Sequence, residues 1–308
     1  MGAARGVLLV NLGTPSAPTP EAVRSYLAEF LSDPRVVKLP RFIWRPILHG
    51  VVLRKRPAQS AEKYAAVWTP EGSPLAVHTR RQAELLAANF QNLKVAYAMR
   101  YGEPGIAGAL KTLEGCELTV LPLYPQYSES TTESVVDLLP KGTRVIRDFH
   151  DHAAYIAALA ANVRRHWEEH GRGEMLLMSF HGLPRRGAGG YERQCHSTGM
   201  LLAAALGLPQ AQWKVTFQSR FGYAKWLAPY TEPTLIELAR NGAARADVVC
   251  PGFVADCLET LEEIGIAARR RFLEAGGREF HLVPCLNESA AWIGALELIA
   301  RSARAASV

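Results

Sequence analysis

Short apolar runs recur along the chain at residues 6–12, 93–100, 117–124 and 144–149, and again at 174–180, 213–219, 247–253 and 279–284. Continuous runs rich in Val, Leu and Ile mark strands buried on both faces. Between them lie segments whose apolar positions recur every three or four residues, clearest at 21–31, 80–90, 153–170 and 232–239, and these predict helices. Strand and helix alternate, so the fold class is α/β. Two groups of four strands predict two similar Rossmann-like halves, each a four-stranded parallel sheet flanked by helices. A short echo supports this duplication: VNLGTP at 10–15 and SFHGLP at 179–184 each close a half's opening strand with a glycine and a proline. The division is expected within the helical stretch 155–170, giving halves of 1–160 and 161–308.

In open parallel sheets ligands sit beyond the carboxyl ends of the strands, so polar residues at those ends carry functional weight. Here they are Asn11 and Thr14, Arg100 and Tyr101, Tyr124 and Tyr127, His181, Gln218 and Ser219, and Asp256. His181 stands where the apolar run EMLLMSFHGLP stops. A dinucleotide site would need GxGxxG after the first strand, but NLGTPS has a single glycine, and no GxxxxGK[ST] occurs. Phosphate cradling is not expected.

The segment DCLETLEEIG, residues 256–265, carries the densest acidic chemistry. On a helix Glu259 and Glu263 share a face and Glu262 flanks them, a like-charge arrangement that opposes helix formation by roughly a few tenths of a kcal/mol. A solvated acidic face is one reading. The segment directly follows the apolar strand VVCPGFV, however, and a carboxylate at that end could bind a cation or accept protons, with His181 opposite. Among other histidines, His166 and His170 in RRHWEEH have the four-residue spacing of a metal pair, but the Arg and Glu around them and the lack of a further ligand favour an exposed helix. His150 and His152 read as the polar start of a helix, and Cys195 and His196 are adjacent, which suits no shared metal.

Composition narrows the class. The chain has 308 residues, 48% hydrophobic and 21% charged, which is ordinary for a globular protein. Its longest apolar stretch, 153–161, falls well short of the roughly 18–20 residues a spanning helix needs. The apolar run near the N-terminus is too short for a signal-peptide core, and Gly6 stands where a myristoylation signal wants Ser or Thr, so a cytoplasmic location is expected. Five cysteines without CxxC spacing suggest neither a disulfide framework nor an iron–sulfur or zinc knuckle. The net charge of +6 allows nucleic acid, an anionic membrane or an acidic small molecule as partner. Much of the excess lies at 36–57, where Arg41, Arg45, Arg54, Lys55 and Arg56 interleave with Phe42, Ile43, Trp44, Ile47, Leu48, Val51, Val52 and Leu53. That pattern fits a lipid interface, the rim of an apolar acidic ligand, or an amphipathic helix packed on the core.

Taken together, SFHGLP, PLYPQYSEST, WKVTFQSRFGYAKWLAPYT and DCLETLEEI resemble the ferrochelatase family, which inserts Fe2+ into a porphyrin as the terminal step of haem synthesis. The landmarks run from NLGTP at 11 to CLNES at 285. The resemblance implies an active-site cleft between the halves, with His181 and Glu259 as the metal-site pair on either side of a distorted porphyrin. Glu263 would be the next acidic position, leading protons or metal away. Asn11, Arg100, Tyr101, Tyr124, Gln218 and Ser219 would line the substrate pocket, and Trp226 would form an aromatic wall. Fe2+ would be a substrate and no cofactor permanent; no cysteine follows Cys285, so no iron–sulfur cluster is implied. Residues 36–57 would form the pocket lip with peripheral membrane contact, and no nucleic acid would be involved. Asn11 stands where relatives acting on coproporphyrin carry tyrosine, which implies protoporphyrin IX as substrate, protohaem as product and two protons released. A coproporphyrin ferrochelatase, another tetrapyrrole metal chelatase and a non-catalytic tetrapyrrole carrier are the alternatives. Two departures from the family pattern stand out: RRGAGGYERQ at 185–194 lacks the usual Asp-Pro, which predicts a mobile loop, and Ala267 replaces a third acid.

Overall fold

The computed structural model of the protein describes residues 4–89, 93–220, 224–302 and 305–308. All eight expected strands form: β1 (Arg5–Gly13), β2 (Leu93–Tyr101), β3 (Glu117–Pro122), β4 (Arg144–Ile146), β5 (Met175–His181), β6 (Trp213–Gln218), β7 (Arg245–Val249) and β8 (Glu279–Leu282). A ninth, β9 (Ala305–Ser307), follows near the C-terminus. The first sheet has the order β2-β1-β3-β4-β9 and the second β6-β5-β7-β8. Pairing is parallel throughout, except that β9 lies antiparallel on β4, adding a fifth edge strand to the four expected. Phe90, the last residue of the expected helix 80–90, and residues 221–223 of the WKVTFQSRFGYAKWLAPYT motif lie outside the described residues.

Each half's opening strand is interior to its sheet, which is why its apolar run is unbroken. Val7, Leu8, Leu9 and Val10 of β1 are all buried, as are Leu176, Leu177, Met178 and Phe180 of β5. In the first core, Leu8 and Val10 join Ala98, Ile106, Val120, Val135 and Val145. In the second, Leu177, Ala246 and Val248 join Leu235, Ile264 and Phe272.

The chain groups into two compact units: residues 1–124, 128–148 and 300–308 form one, and 125–127 with 149–299 the other. The expected division after residue 160 falls inside the helix Ala153–His170, whose contacts lie in the second unit. Its Tyr155 hydroxyl donates to the Pro251 carbonyl and the Tyr155 ring packs edge-on against Phe149 and Trp292. Asn162 Nδ2 donates to the Pro284 carbonyl at 2.7 Å. The whole helix therefore goes with the C-terminal unit.

Residues 36–57 fold as the helix Arg41–Ile47, a π-helical turn Leu48–Val52 and the start of the helix Leu53–Val67. One stripe packs inward: Leu48 and Leu53 are buried against Leu31, and Trp44 Nε1 donates to the Leu31 carbonyl at 2.6 Å. The other faces solvent, with Phe42 79% exposed and Leu39, Ile43, Ile47 and Val51 also exposed. The segment 185–194 is part turn and part helix: residues 185–187 form a bend and turn, and Gly189 and Gly190 begin the helix Gly189–Leu206. No helix among the described residues is long and apolar enough to cross a membrane.

Candidate active site

In the C-terminal unit β5 ends at His181, and β6 runs beside it with Gln218 directly opposite. The next residue has to be glycine. Its N–H donates to the Gln218 carbonyl at 2.8 Å, and a Cβ there would lie 2.6 Å from that oxygen and 3.3 Å from the Trp226 ring. This accounts for the glycine of SFHGLP in terms of close backbone approach. His181 Nδ1 lies 2.7 Å from the Gly182 carbonyl oxygen, which can only accept, so Nδ1 carries the proton. In the neutral ring that bond leaves the lone pair on Nε2, the form that can meet a metal or take a proton. The Tyr191 hydroxyl donates to the His181 carbonyl at 2.8 Å, fixing the strand end from the following helix.

Glu259 and Glu263 lie on the segment Glu259–Ala268, which is π-helical rather than the α-helix the periodicity predicts. Such turns, bonded i to i+5, are rare and concentrate at functional sites. The start of the segment is fixed by buried Asp256, which accepts from Thr260 Oγ1 at 2.9 Å, Asn287 Nδ2 at 2.7 Å and the Cys285 N–H at 3.3 Å. Asp256, singled out by its strand-end position, thus has its carboxylate engaged by internal partners.

Gln218 joins the histidine strand to the acidic helix. It is 5% exposed, and its Nε2 donates to the Glu259 carbonyl at 2.7 Å and to Glu263 Oε2 at 3.3 Å. Its Oε1 accepts from Ser179 Oγ at 2.7 Å. Ser219 completes the cradle for Glu263: its N–H reaches Oε1 at 2.7 Å and its hydroxyl reaches Oε2 at 2.5 Å. To aim both donors at one carboxylate, Ser219 takes a left-handed backbone with φ of 64°, an arrangement that costs a non-glycine residue roughly 1–3 kcal/mol. The structure therefore brings His181, Gln218, Ser219, Glu259 and Glu263 into one bonded neighbourhood, with Trp226 packed behind Gly182. The Cys257 thiol is pushed well above its usual pKa by burial and by the Glu259 carboxylate beside it, and burial does the same to Cys250 and Cys285. These thiols stay protonated and are poor metal ligands.

The N-terminal candidates are differently placed. Arg100 and Tyr101 end β2, and Asp33 engages both: the Arg100 guanidinium pairs with Asp33 Oδ2, and the Tyr101 hydroxyl donates to the same oxygen at 2.8 Å. Arg100 Nε also donates to the Ser134 carbonyl at 2.6 Å, and its guanidinium lies 4.4 Å from the Tyr101 ring centre. Burial holds the Tyr101 phenol far above its ordinary pKa. Asn11 is buried, its Nδ2 donating to Thr79 Oγ1 at 3.0 Å and its Oδ1 accepting from the Leu12 N–H at 2.9 Å. The Tyr124 hydroxyl is buried with no hydrogen-bond partner among the described residues. Sequence reasoning missed Asp33, whose place between a helix end and Pro34 looks like an ordinary cap, and it missed the hold of Tyr191 on His181.

Residues 4–304 match the family model for ferrochelatase. The chain is 57% identical to a ferrochelatase of Azoarcus sp. (strain BH72) over 316 residues, which covers 96% of this chain and 87% of the relative. It is 56% identical to a ferrochelatase of Aromatoleum aromaticum, with 96% and 87% covered, and 54% identical to one from Polaromonas sp., with 95% and 85% covered. Solved structures share the fold at much lower identity. A multi-domain Deinococcus radiodurans protein with structural similarity to chelatases superposes with a TM-score of 0.56 at 16% identity, over 97% of this chain and 55% of that one. SirB from Bacillus subtilis superposes with a TM-score of 0.54 at 12% identity, over 96% of each chain. CbiX, the terminal enzyme of sirohaem biosynthesis in denitrifying bacteria, gives 0.53 at 15% identity, over 97% of this chain and 100% of that one. With a family model matched along almost its whole length and relatives more than half identical across it, the chain belongs to the ferrochelatase family, lyases that insert iron into a porphyrin.

Proposed function

We propose that this ferrochelatase acts on protoporphyrin IX, placing Fe2+ at the ring centre and releasing two protons, with His181 and Glu259 as the reacting pair. One observation carries the reading: Gln218 ties the His181 strand to both Glu259 and Glu263, while the Gly182 carbonyl holds the imidazole with its Nε2 lone pair available. A planar free-base porphyrin points two N–H protons inward and offers an approaching metal no lone pairs. An enzyme gains by gripping a puckered ring that resembles the transition state. A neutral imidazole can take a pyrrole proton near neutral pH, and the Glu259 carboxylate attracts the dication and favours proton loss. Glu263, cradled by Ser219 and Gln218, is the next acceptor outward.

The same reading assigns substrate contact to Gln218, Ser219 and Trp226 in the C-terminal unit. At the strand ends of the N-terminal unit it assigns contact to Asn11, Arg100, Tyr101 and Tyr124. Because Asp33 and Thr79 occupy the polar atoms of Arg100, Tyr101 and Asn11, these three contribute shape rather than a free charge. For residues 36–57 we propose contact with an anionic lipid surface, supported by exposed Leu39, Phe42, Ile43, Ile47 and Val51 beside exposed Arg41, Arg45, Arg54 and Lys55. Cosedimentation with vesicles containing anionic lipid, weakened in Phe42→Glu, is the expected result; binding indifferent to that change overturns the lipid contact.

The deciding experiment is anaerobic incubation with Fe2+ and, in parallel, protoporphyrin IX or coproporphyrin III, following the spectrum of the metallated ring. Faster turnover of protoporphyrin IX is expected, and faster turnover of coproporphyrin III overturns the substrate assignment.

A further inference from the structure

The C-terminal unit holds a cluster of three histidines at the other end of its sheet. His166 and His170 sit one turn apart near the end of the helix Ala153–His170, and β8 brings His281 against them. The three ring centroids lie 4.6 Å (His166 to His170), 5.7 Å (His166 to His281) and 5.6 Å (His170 to His281) apart. Three imidazoles sharing one tetrahedral ion at ~2.0–2.1 Å from each nitrogen put their ring centres about 5.2 Å apart, so the backbone already spaces the rings for that arrangement.

A second, independent feature points to a ligand. His166 is 8% exposed, and its Nε2 is buried with no hydrogen-bond partner among the described residues. An orphaned buried nitrogen carries an uncompensated desolvation penalty, which coordination would remove. The surroundings also hold in place the backbone that carries the rings. Arg245 donates to the carbonyls of His170 and Gly171, both at 2.6 Å, pinning the helix end over the sheet. Trp167 Nε1 donates to Asp247 Oδ2 at 2.7 Å from the same helix. The Arg245 charge is offset by Asp247 at 2.9 Å and by Glu279 at 3.6 Å, and Glu279 also lies 4.0 Å from His281 Nε2.

We propose that His166, His170 and His281 form a binding site for one divalent transition-metal ion of the zinc, cobalt and nickel class, with the fourth position left to water or Glu279. As the rings stand, their nitrogens do not converge on one point. The side chains of His170 and His281 are 47% and 26% exposed, which leaves both rings able to turn about their Cβ–Cγ bonds onto an ion. The site is separate from the His181 neighbourhood. His281 pairs in register with Asp247, which pairs with Leu176. His181 lies five residues further along β5, ~17 Å away at a strand's usual rise. Coordination would tie the 153–170 helix to the edge strand β8 and stabilise the unit by mass action.

Metal-free full-length protein titrated with Co2+, read by the visible bands of tetrahedral cobalt and followed by Zn2+ competition, tests this. His181→Ala should keep the cobalt signal, whereas His170→Gln and His281→Gln should lose it. Zn2+ affinity in those two variants should fall at least ~10–100-fold. Their iron insertion rates should match the parent, which also reports correct folding. The proposal is overturned if the parent shows no tetrahedral cobalt, if His281→Gln titrates like the parent, or if the signal vanishes in His181→Ala and survives in His281→Gln.

Discussion

The strand ends of the two units carry similar polar residues, yet they use them in opposite ways. In the N-terminal unit the polar atoms of Arg100, Tyr101 and Asn11 are taken up by Asp33, Ser134 and Thr79. In the C-terminal unit the engaged atoms fix the carriers of the two proposed reacting groups: the His181 carbonyl is bound by Tyr191, its Nδ1 by Gly182 and the Glu259 carbonyl by Gln218, while Ser219 and Gln218 hold the Glu263 carboxylate. The groups on which the proposed function draws there are the imidazole Nε2 and the Glu259 carboxylate, which lies beside the Cys257 thiol. On the proposed reading the contrast separates a surface that contributes shape from one that contributes proton and metal transfer, although both sit at the carboxyl ends of parallel strands.

Substitutions can test that contrast, beginning with the largest effect. Glu259→Gln should keep porphyrin binding, measured by quenching of porphyrin fluorescence, while turnover falls by ~10²–10⁴-fold. Retained turnover would remove Glu259 from the reacting pair. Asp33→Asn should act oppositely, because it leaves the Arg100 guanidinium buried and unpaired. The expected loss is about 3–5 kcal/mol in urea unfolding, with turnover per folded molecule far less affected. Gly182→Ala lies between the two, since its Cβ would meet the Gln218 carbonyl. A cost of roughly 1–3 kcal/mol is expected, with a fall in kcat because the His181 strand end must shift. The smallest effect concerns the thiols. At mildly alkaline pH a soluble alkylating reagent should modify Cys116, the half-buried thiol, while Cys195, Cys250, Cys257 and Cys285 stay intact, and mass spectrometry counts the labels. Rapid alkylation of Cys257 would show the acidic helix to be far more open than its packing allows.

Much of the architecture was legible because its central strands are buried on both faces, and burial of that kind writes itself as uninterrupted apolar runs such as GVLLV and MLLMSF. β9 was not legible. It is a three-residue edge strand of Ala and Ser, with no apolar alternation to betray it. The π-helical form of 259–268 has no compositional signature either, since spacing puts Glu259 and Glu263 on one face with or without the widened turn. His181 stood out because polar residues at the end of an apolar strand are conspicuous. Asp33 did not, because its partners Arg100 and Tyr101 are remote in sequence, and a lone acid after a helix looks local. His281 is the same case: RRHWEEH advertised two imidazoles, and only the fold could deliver the third.

The antiparallel pairing of β9 on β4 has a consequence for how the protein is made. During synthesis, β1 to β4 emerge early, but the strand that covers the outer edge of β4 is translated only after the whole of the second unit. Until then a nascent chain would present a row of unsatisfied amides and carbonyls, the kind of border that recruits foreign strands. Pairing of β9 closes that border.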